Sequence, residues 1–279
     1  MSDRRLVITA DDFGLHGSVN AAVRIGHEQG VLSAASLMVG APAAAEAVAV
    51  ARNLPNLRVG LHLVLTDGRP VLPPEQVPHL VNGEGAFRND MAAMGAIILA
   101  SSTARRELGA EIEAQFFAFA ATGLVLDHVN AHKHFHVHPT IAAVTARIGA
   151  RFGLRAVRAP VEPAATLTTI EPGAAGWTDR MAAWWAKRAS VCFRRAGVVT
   201  PDQVFGLRWS GHMTAPRLAG VINALPPGLS EVYLHPATDN VFPGSASGYD
   251  YRGELAALTS DGARKAISGL QVGGYQDFV

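Results

Sequence analysis

Strand-like and helix-like segments alternate along nearly the whole chain, and this alternation limits the folds available to it. Short apolar, β-rich runs such as "RLVITA" (5–10) and "LRVGLHLVL" (57–65) are each followed, with one interruption, by a stretch of helical periodicity. About seven such units predict parallel strands joined by crossover helices. The pattern therefore favours either a β/α barrel or a doubly wound sheet.

The chemically capable polar residues lie where the predicted strands end. They are Asp11, Asp12, His62, His132, His134, Arg158 and His235. In a β/α barrel these ends meet on one face, where active sites are assembled from several strands. We therefore predict a single domain over residues 1–279, an α/β fold of the irregular TIM-like (β/α) barrel type with parallel strands.

Composition excludes several classes of protein. With 49% hydrophobic and 17% charged residues in 279, the chain has ample material for a buried core. Its 24 Lys and Arg against 23 Asp and Glu lack the basic excess of a nucleic-acid binder. The single cysteine, Cys192, excludes an intrachain disulfide framework. The N-terminus does not read as a signal peptide and no run is long enough to span a bilayer, so we expect a cytoplasmic protein.

The interruption follows the third predicted strand. Residues 66–88 are rich in Pro and Gly and predict a long loop, and the apolar stretch "MAAMGAIILA" (91–100) comes shortly after it. Long loops on a compact α/β chain are often functional. We interpret residues 66–105 as an insertion within the barrel.

Three residues from three strand ends make a plausible metal site. Asp12, His62 and His132 offer the carboxylate and imidazole groups that bind a catalytic divalent ion, with a position left for water. Asp11 could then act as the general base on that water. Each feature has a plainer interpretation as well. Paired aspartates often form a turn and helix cap, and a histidine in an apolar strand is often a core residue.

The segment "HVNAHKHFHVHP" (128–139) contains five of the eleven histidines of the chain. Alternating imidazoles on one strand face would be costly to bury without partners. An extended conformation would place His134 and His136 on the same face, lining the site or supporting His132. An adventitious metal-binding tract is the alternative. His128 and His138 have no role that the sequence indicates.

Several motifs together resemble one enzyme family. "ITADDFGL", "GLHL", "NAHKHFHVHP", "VRAP" and "LHPA" occur in the order and at the approximate spacing of the YdjC/ChbG family of carbohydrate deacetylases. The longer stretches "SLMVGAPAAAEAV", "VGLHLVLTDGRPVLPP", "LDHVNAHKHFHVHP" and "LRWSGHMT" are similar to its hopanoid-biosynthesis-associated branch, HpnK. The resemblance covers nearly the whole chain. It implies a metal-dependent barrel that removes an acetyl group, with an N-acetylglucosaminyl hopanoid as substrate.

Residue by residue, the resemblance implies Asp11 as base, His235 as general acid and Asp12, His62 and His132 as ligands of one divalent ion, Zn²⁺ or Mg²⁺, with other divalent ions open. Arg158 would hold Asp11 ionised through a charge-assisted hydrogen bond. The chain departs from the family where "DSH" is replaced by Asn130, Ala131 and His132. The lost carboxylate could be replaced by Asn130 or Asp127 in supporting a ligand. His212, in "LRWSGHMT", is a further candidate beside the substrate.

A lipid substrate would require apolar surface near the cleft. The segment 177–195 places aromatic and apolar residues at helical spacing among basic ones, as an interfacial helix does. These residues are Trp177, Met181, Trp184 and Trp185. We predict contact with lipid or peripherally with the inner face of a membrane, an ordinary core or homodimer helix being the alternative. Residues 91–100 could form a lid over the lipid tail.

Two other functions stay open. A deacetylase of soluble chitooligosaccharides, or of another N-acetylated sugar, would use the same chemistry. A metal-binding or sugar-binding module without turnover would need the ligands but not the base Asp11. No phosphate clamp of Lys and Arg accompanies the motifs, which disfavours a phosphoesterase.

Overall fold

A computed structural model describes residues 3–173 and 177–279, with the backbone alone for 177–180 and 182. One sheet of parallel strands is surrounded by helices. The strands are β1 (Arg4–Phe13), β2 (Ala34–Leu37), β3 (Arg58–Leu63), β4 (Leu126–Ala131), β5 (Gln203–Phe205), β6 (Gly228–Leu234) and β7 (Gln271–Val272). The helices are α1 (Gly17–Gln29), α2 (Ala44–Arg52), α3 (Met91–Ala100), α4 (Ser102–Ala121), α5 (Pro139–Gly149), α6 (Ala164–Ile170), α7 (Trp177–Arg195), α8 (Ala215–Asn223), α9 (Tyr251–Leu258) and α10 (Asp261–Ala266).

The sheet forms an irregular barrel in which β4 and β5, its two edge strands, do not pair directly. The strand order is β4-β3-β2-β1-β6-β5, with β7 beside β1. Between β4 and β5, single parallel bridges join Val129 of β4 to Val157, and Ala156 to Val199, which precedes β5. The segment "LRAVRAP" (154–160), whose β-rich pattern predicts a strand, contributes two bridged residues, Ala156 and Val157. The parallel α/β barrel predicted from the alternation is confirmed in this irregular form, and the doubly wound alternative is wrong.

Strand β1 lies inside the sheet, between β2 and β6, and every residue from Leu6 to Phe13 is buried. Leu6, Val7 and Ile8 are fully buried, and β1 pairs in register with β6 from Arg4 to Ala10.

Pro139 is the first residue of α5, where its missing N–H costs no helical hydrogen bond. The carboxyl ends of β1, β3, β4 and β6 thus open on the same face of the barrel.

The predicted insertion is tied to helix α4. A buried polar stripe at four-residue spacing on α4, Glu107, Glu111 and Gln115, faces the long loop. The Glu111 carboxylate accepts hydrogen bonds from the backbone N–H groups of Val71 and Leu72. Gln115 donates to the carbonyl of Val64 and accepts from its N–H. The loop is therefore held by side-chain hydrogen bonds to its backbone.

Helix α3 forms where residues 91–100 predict an apolar segment. It packs its buried residues Met94 and Ile98 into the main core, next to α4. None of its residues lines the cavity described below. A lid movement of this helix stays a prediction. Within the part of the chain that the structure describes, no helix has both the length and the hydropathy to cross a membrane.

Candidate active site

Two adjacent carboxylates point into one cavity because β1 is irregular at its end. The register between β1 and β2 shifts between Ala10 and Phe13, and Asp12 has a φ of 61°. Neighbouring residues of a regular strand point to opposite faces, and a bulge re-aims a side chain. Asp11 and Asp12 both line the cavity as a result. They can therefore serve one site in two different roles.

Asp12 shares one of its oxygens with two imidazoles. Its Oδ1 lies 3.2 Å from Nε2 of His62, on β3, and 3.0 Å from Nδ1 of His132, which follows β4. The three potential ligand atoms lie within 4.8 Å of one another. Among the described residues, this is the group of three His, Cys, Asp or Glu side chains arranged to hold a metal ion.

Asn130 determines which tautomer a neutral His62 adopts. Its Nδ2 donates to Asp11 Oδ1 at 3.0 Å and to Ser36 Oγ at 2.9 Å, so its Oδ1 is the acceptor for His62 Nδ1 at 2.7 Å. The proton of a neutral His62 is then on Nδ1, and the Nε2 lone pair faces the Asp12 carboxylate. Two electron-rich atoms 3.2 Å apart call for a cation between or beside them. The donor set therefore fits a divalent ion. Asn130 orients one of its imidazoles by accepting the hydrogen bond from His62 Nδ1.

Arg158 forms a two-sided ion pair in the barrel interior. Its guanidinium donates to both oxygens of Asp11, at 2.5 and 2.9 Å, and to both oxygens of Glu231, at 2.9 and 2.8 Å. Arg158 is fully buried, and Asp11 is 2% exposed. Burial would raise the pKa of Asp11, but the positive charge and hydrogen bonds of Arg158 outweigh it and hold that pKa well below its usual range. Asp11 is therefore an oriented carboxylate.

The histidine segment is not extended. Residues His132–Val137 form a short 3₁₀ turn in which Lys133 and His134 have positive φ. His134 and His136 consequently do not share a strand face, and that prediction is wrong. His134 Nε2 lies 3.0 Å from the Tyr233 hydroxyl at the cavity wall, whereas His136 is buried behind the site.

His136 gives the fold a pH dependence. Its Nε2 donates to the carbonyl of Arg158 at 2.6 Å, and burial lowers its pKa from 6.5 to about 4. Between these values the unfolded chain binds a proton that the folded protein does not. We therefore expect the free energy of unfolding to decrease by about 3 kcal/mol as the pH falls from 6.5 to 4.

Urea unfolding at several pH values measures this effect. His136→Gln should flatten part of the profile, because it removes the titrating ring; His134, whose pKa burial also lowers, should keep the rest. His212→Gln, at an exposed position, is the matched control and should leave the profile as it is. A His136→Gln profile as steep as that of the unmodified protein would contradict the assignment.

His235 lines the cavity at the end of β6. Its backbone N–H donates to Glu254 Oε2 at 2.5 Å, and its ring Nδ1 is buried without a hydrogen-bond partner in the described structure. Burial lowers the pKa of His235 against the opposing charges of Asp12 and Asp11. Burial also raises the pKa of Glu254 to about 7. The backbone hydrogen bond to Glu254 therefore anchors His235 at the cavity, and its ring Nδ1 has no hydrogen-bond partner among the described residues.

Two predicted candidates, Asp127 and His212, have other surroundings, and His128 lies beside the first of them. Asp127 accepts the backbone N–H groups of Tyr275 and Gln276 and pairs with His128, so it supports the C-terminal segment and contacts none of the three ligands. His128 also reaches Ser36 Oγ at 2.9 Å, which links it to Asn130. His212 is exposed and does not line the cavity.

The carboxylates and imidazoles open into a cavity of about 910 Å³. Part of its wall is apolar, formed by Leu15, Met38, Pro42, Val64, Val71, Phe87 and Leu207. Another part carries polar groups: Asn82, Asn89, Gln115, Ser210, Tyr233, Tyr249 and Tyr251. Non-glycine residues with positive φ cost conformational energy and cluster at functional sites. Among the described residues there are four, Asp12, Asp67, Lys133 and His134, and all line this cavity.

The sequence alone missed several residues of this site. Glu231, Tyr233 and Ser36 are buried and contact predicted residues. Tyr275 contacts the predicted residue Asp127 through its backbone N–H and Glu231 through its hydroxyl. A signal for two of them is present in β6. Glu231, Tyr233 and His235 occur at every second position, which places all three on the same face of a strand.

Comparison with known proteins assigns the chain to a family. The model of YdjC-like proteins matches residues 5–269. The chain belongs to the YdjC-like family. A carbohydrate deacetylase from Geobacillus stearothermophilus is 32% identical over 99% of this chain and 98% of its own length. One from Mus musculus is 31% identical, over 88% of this chain and 81% of its own.

Other similarities cover less of the relative or concern the fold alone. A carbohydrate deacetylase from Brevibacillus brevis is 37% identical, but over 53% of this chain and 56% of its own length. A crystal structure of a protein described as a cellobiose-phosphate cleavage protein, from Enterococcus faecalis, matches 100% of both chains with a TM-score of 0.79 and 24% identity. That similarity supports the barrel fold.

Proposed function

We propose that this protein is a metal-dependent N-deacetylase that hydrolyses the acetamide of an N-acetylated sugar. Membership of the YdjC-like family and the carbohydrate deacetylases among its relatives support this activity. The observation that carries the proposal is the position of Asp11. It lies beside the ligand set of Asp12, His62 and His132, ionised by Arg158 and facing a large cavity. A binding module without turnover would not need that carboxylate.

Asp12, His62 and His132 would hold the ion, Zn²⁺ or Mg²⁺. A bound divalent ion polarises a carbonyl and makes water more acidic. Asp11 takes the proton from the water that adds to the acetyl carbon. His235, in its protonated form, then donates a proton to the nitrogen as the carbon–nitrogen bond breaks, because an amine does not leave as an anion. The proton that Asp11 took from water afterwards restores the protonated state of His235. The products are acetate and the free amino sugar.

We propose an N-acetylglucosaminyl hopanoid as the substrate. The similarity of four long stretches to the hopanoid-associated branch supports this choice, and so does the apolar part of the cavity wall. Met38, Val64 and Phe87 offer surface suited to a lipid tail beside the polar groups. A soluble chitooligosaccharide is the alternative, favoured by the polar side chains of the same cavity.

The assay that tests the proposal uses both substrates. Purified, metal-loaded protein is incubated with N-acetylglucosaminyl hopanoid and with N,N′-diacetylchitobiose, with and without chelator, and acetyl loss is followed by mass spectrometry. Chelator-sensitive loss from the hopanoid alone would support the full proposal. Loss from chitobiose alone would retain the chemistry and refute the lipid substrate. Loss from neither, with metal bound, would favour a binding module.

The exposed side chains of helix α7 support a second part of the proposal, that the lipid substrate reaches the enzyme from a membrane surface. Trp184 and Met181 are 48% and 44% exposed, Val191 is 49% exposed, and Arg188 stacks over the Trp184 ring at 4.8 Å. The side chain of Trp177 lies outside the described residues. Exposed aromatic and apolar side chains among basic ones suit the headgroup region of an anionic bilayer. Homodimer formation through this helix is the alternative.

Vesicle flotation tests the role of α7. Trp184→Ala with Trp185→Ala should reduce binding to anionic phospholipid vesicles by about tenfold, because two interfacial aromatic side chains are lost. The pair Phe117→Ala and Val125→Ala, at exposed apolar positions elsewhere, should leave binding unchanged. Equal flotation of the tryptophan variant and the unmodified protein would refute the membrane contact. Sedimentation of both proteins tests the homodimer.

A further inference from the structure

A buried hydrogen-bond network extends from Asp11 away from the cavity. Beyond Arg158, the Glu231 carboxylate accepts a hydrogen bond from the Thr9 hydroxyl at 2.7 Å and one from the Tyr275 hydroxyl at 2.5 Å. Glu231, Thr9 and Tyr275 are fully buried. None of the three lines the cavity, so the network does not contact substrate.

Tyr275 belongs to the C-terminal segment, residues 273–279, which follows β7 and packs against the barrel. Its backbone N–H donates to the buried Asp127 at 3.0 Å, and its ring lies 5.0 Å from that of His128. On the surface, Asp277 pairs with Arg58 at 2.6 Å and accepts the N–H of Gly274. The family model ends at residue 269, so this segment is additional to the matched region.

Glu231 contacts Arg158 directly, and Tyr275 is linked to Arg158 through Glu231. A guanidinium fixed by a bidentate contact on one side presents its other N–H groups in a fixed direction. Glu231 also compensates the charge of Arg158, so that the guanidinium does not act on Asp11 alone. Tyr275 and Thr9 each donate to a different oxygen of Glu231, which fixes the plane of that carboxylate.

We propose that Glu231 and Tyr275 are positioning residues for Asp11, acting through Arg158. The inference rests on the proposed function only in that Asp11 is the base. The C-terminal segment, by this inference, completes the active site from behind although it does not reach the cavity. The Tyr275 hydroxyl is separated from the Asp11 carboxylate by the side chains of Glu231 and Arg158. Its removal should therefore still lower the rate of turnover.

Tyr275→Phe and Glu231→Gln test the inference, since both keep side-chain volume. The assay uses metal-loaded protein and whichever of N-acetylglucosaminyl hopanoid and N,N′-diacetylchitobiose the unmodified protein deacetylates. We expect kcat to fall roughly 5- to 20-fold for Tyr275→Phe and roughly 50-fold or more for Glu231→Gln. KM should stay within about twofold of its value in the unmodified protein. Asp277→Asn is the matched control. It removes a different anchor of the same segment, at the surface, and should leave kcat within about twofold.

A second measurement does not depend on the substrate. The carboxyl ¹³C resonance of Asp11, assigned by its loss in Asp11→Asn, should shift in Tyr275→Phe and Glu231→Gln but not in Asp277→Asn. Unchanged resonances would overturn the inference whatever happens to kcat. A lowered kcat in Asp277→Asn equal to that of Tyr275→Phe would also overturn it, since general loosening of the segment would then suffice. Shifts without acetyl release from any sugar would refute the proposed function and retain the positioning role.

Discussion

Replacing Asp11 with Asn should lower kcat by about 10²- to 10⁴-fold while the protein still binds one divalent ion, because the amide cannot take a proton from water. The variant should fold. Asn fills the same volume, accepts a hydrogen bond from Arg158 through its carbonyl oxygen, and leaves Arg158 paired with Glu231. Steady-state kinetics of acetate release, together with metal analysis, measure both properties.

Asp12→Asn is the informative control for that variant. Asp12 would be the oxygen ligand of the proposed ion, and both His62 and His132 approach its carboxylate, so its substitution should reduce metal content and activity together. Asp11→Asn should reduce activity alone. If Asp11→Asn retained more than about a tenth of kcat with metal bound, Asp11 would not be the general base, and another residue of the cavity would have to accept the proton.

The barrel and the ends of its strands could be predicted because both rest on local pattern. Runs such as "RLVITA" bury both faces and must lie inside the sheet, and parallel strands bring their carboxyl ends to one side. Asp12, His62 and His132 lie near one another because each is at or next to such an end. The polar stripe of α4 could not be predicted in the same way, because its partners are backbone N–H groups of a loop without periodicity.

Backbone irregularity limited the prediction of the site. A regular strand would separate Asp11 from Asp12, and only the register shift and the positive φ of Asp12 turn both inward. The alternation of histidines likewise predicted a strand, whereas Lys133 and His134 adopt left-handed conformations in a turn. Alternating polarity indicates a strand only where the flanking backbone continues in extended form.

Contacts distant in sequence could be predicted only where both residues stand out in the sequence pattern. Tyr275 reaches Glu231 across 44 positions and Arg158 reaches Asp11 across 147. The second contact is predicted because Arg158 and Asp11 both follow predicted strands, and a guanidinium there can hold a carboxylate ionised. Nothing local to "GGYQDFV" indicates a buried tyrosine beside an active site, since the segment has neither apolar periodicity nor a motif.

Arg158→Met should destabilise the fold by about 3–5 kcal/mol, the second large effect that the structure predicts, because it leaves Asp11 and Glu231 buried without their shared cation. Urea unfolding measures the loss. Arg24→Met is the matched control. Arg24 pairs with Glu28 on the surface, where the two side chains are 51% and 41% exposed, and its substitution should cost at most about 1 kcal/mol.

Adding Glu231→Gln to Arg158→Met separates folding from function. The double variant has one unpaired buried carboxylate instead of two, so it should recover part of the lost free energy of unfolding. Turnover should not recover with it, because Asp11 still lacks the guanidinium that orients it. A stability loss in Arg158→Met no larger than that in Arg24→Met would contradict this account. Recovery of kcat together with stability would mean that Arg158 only compensates buried charge and does not position the base.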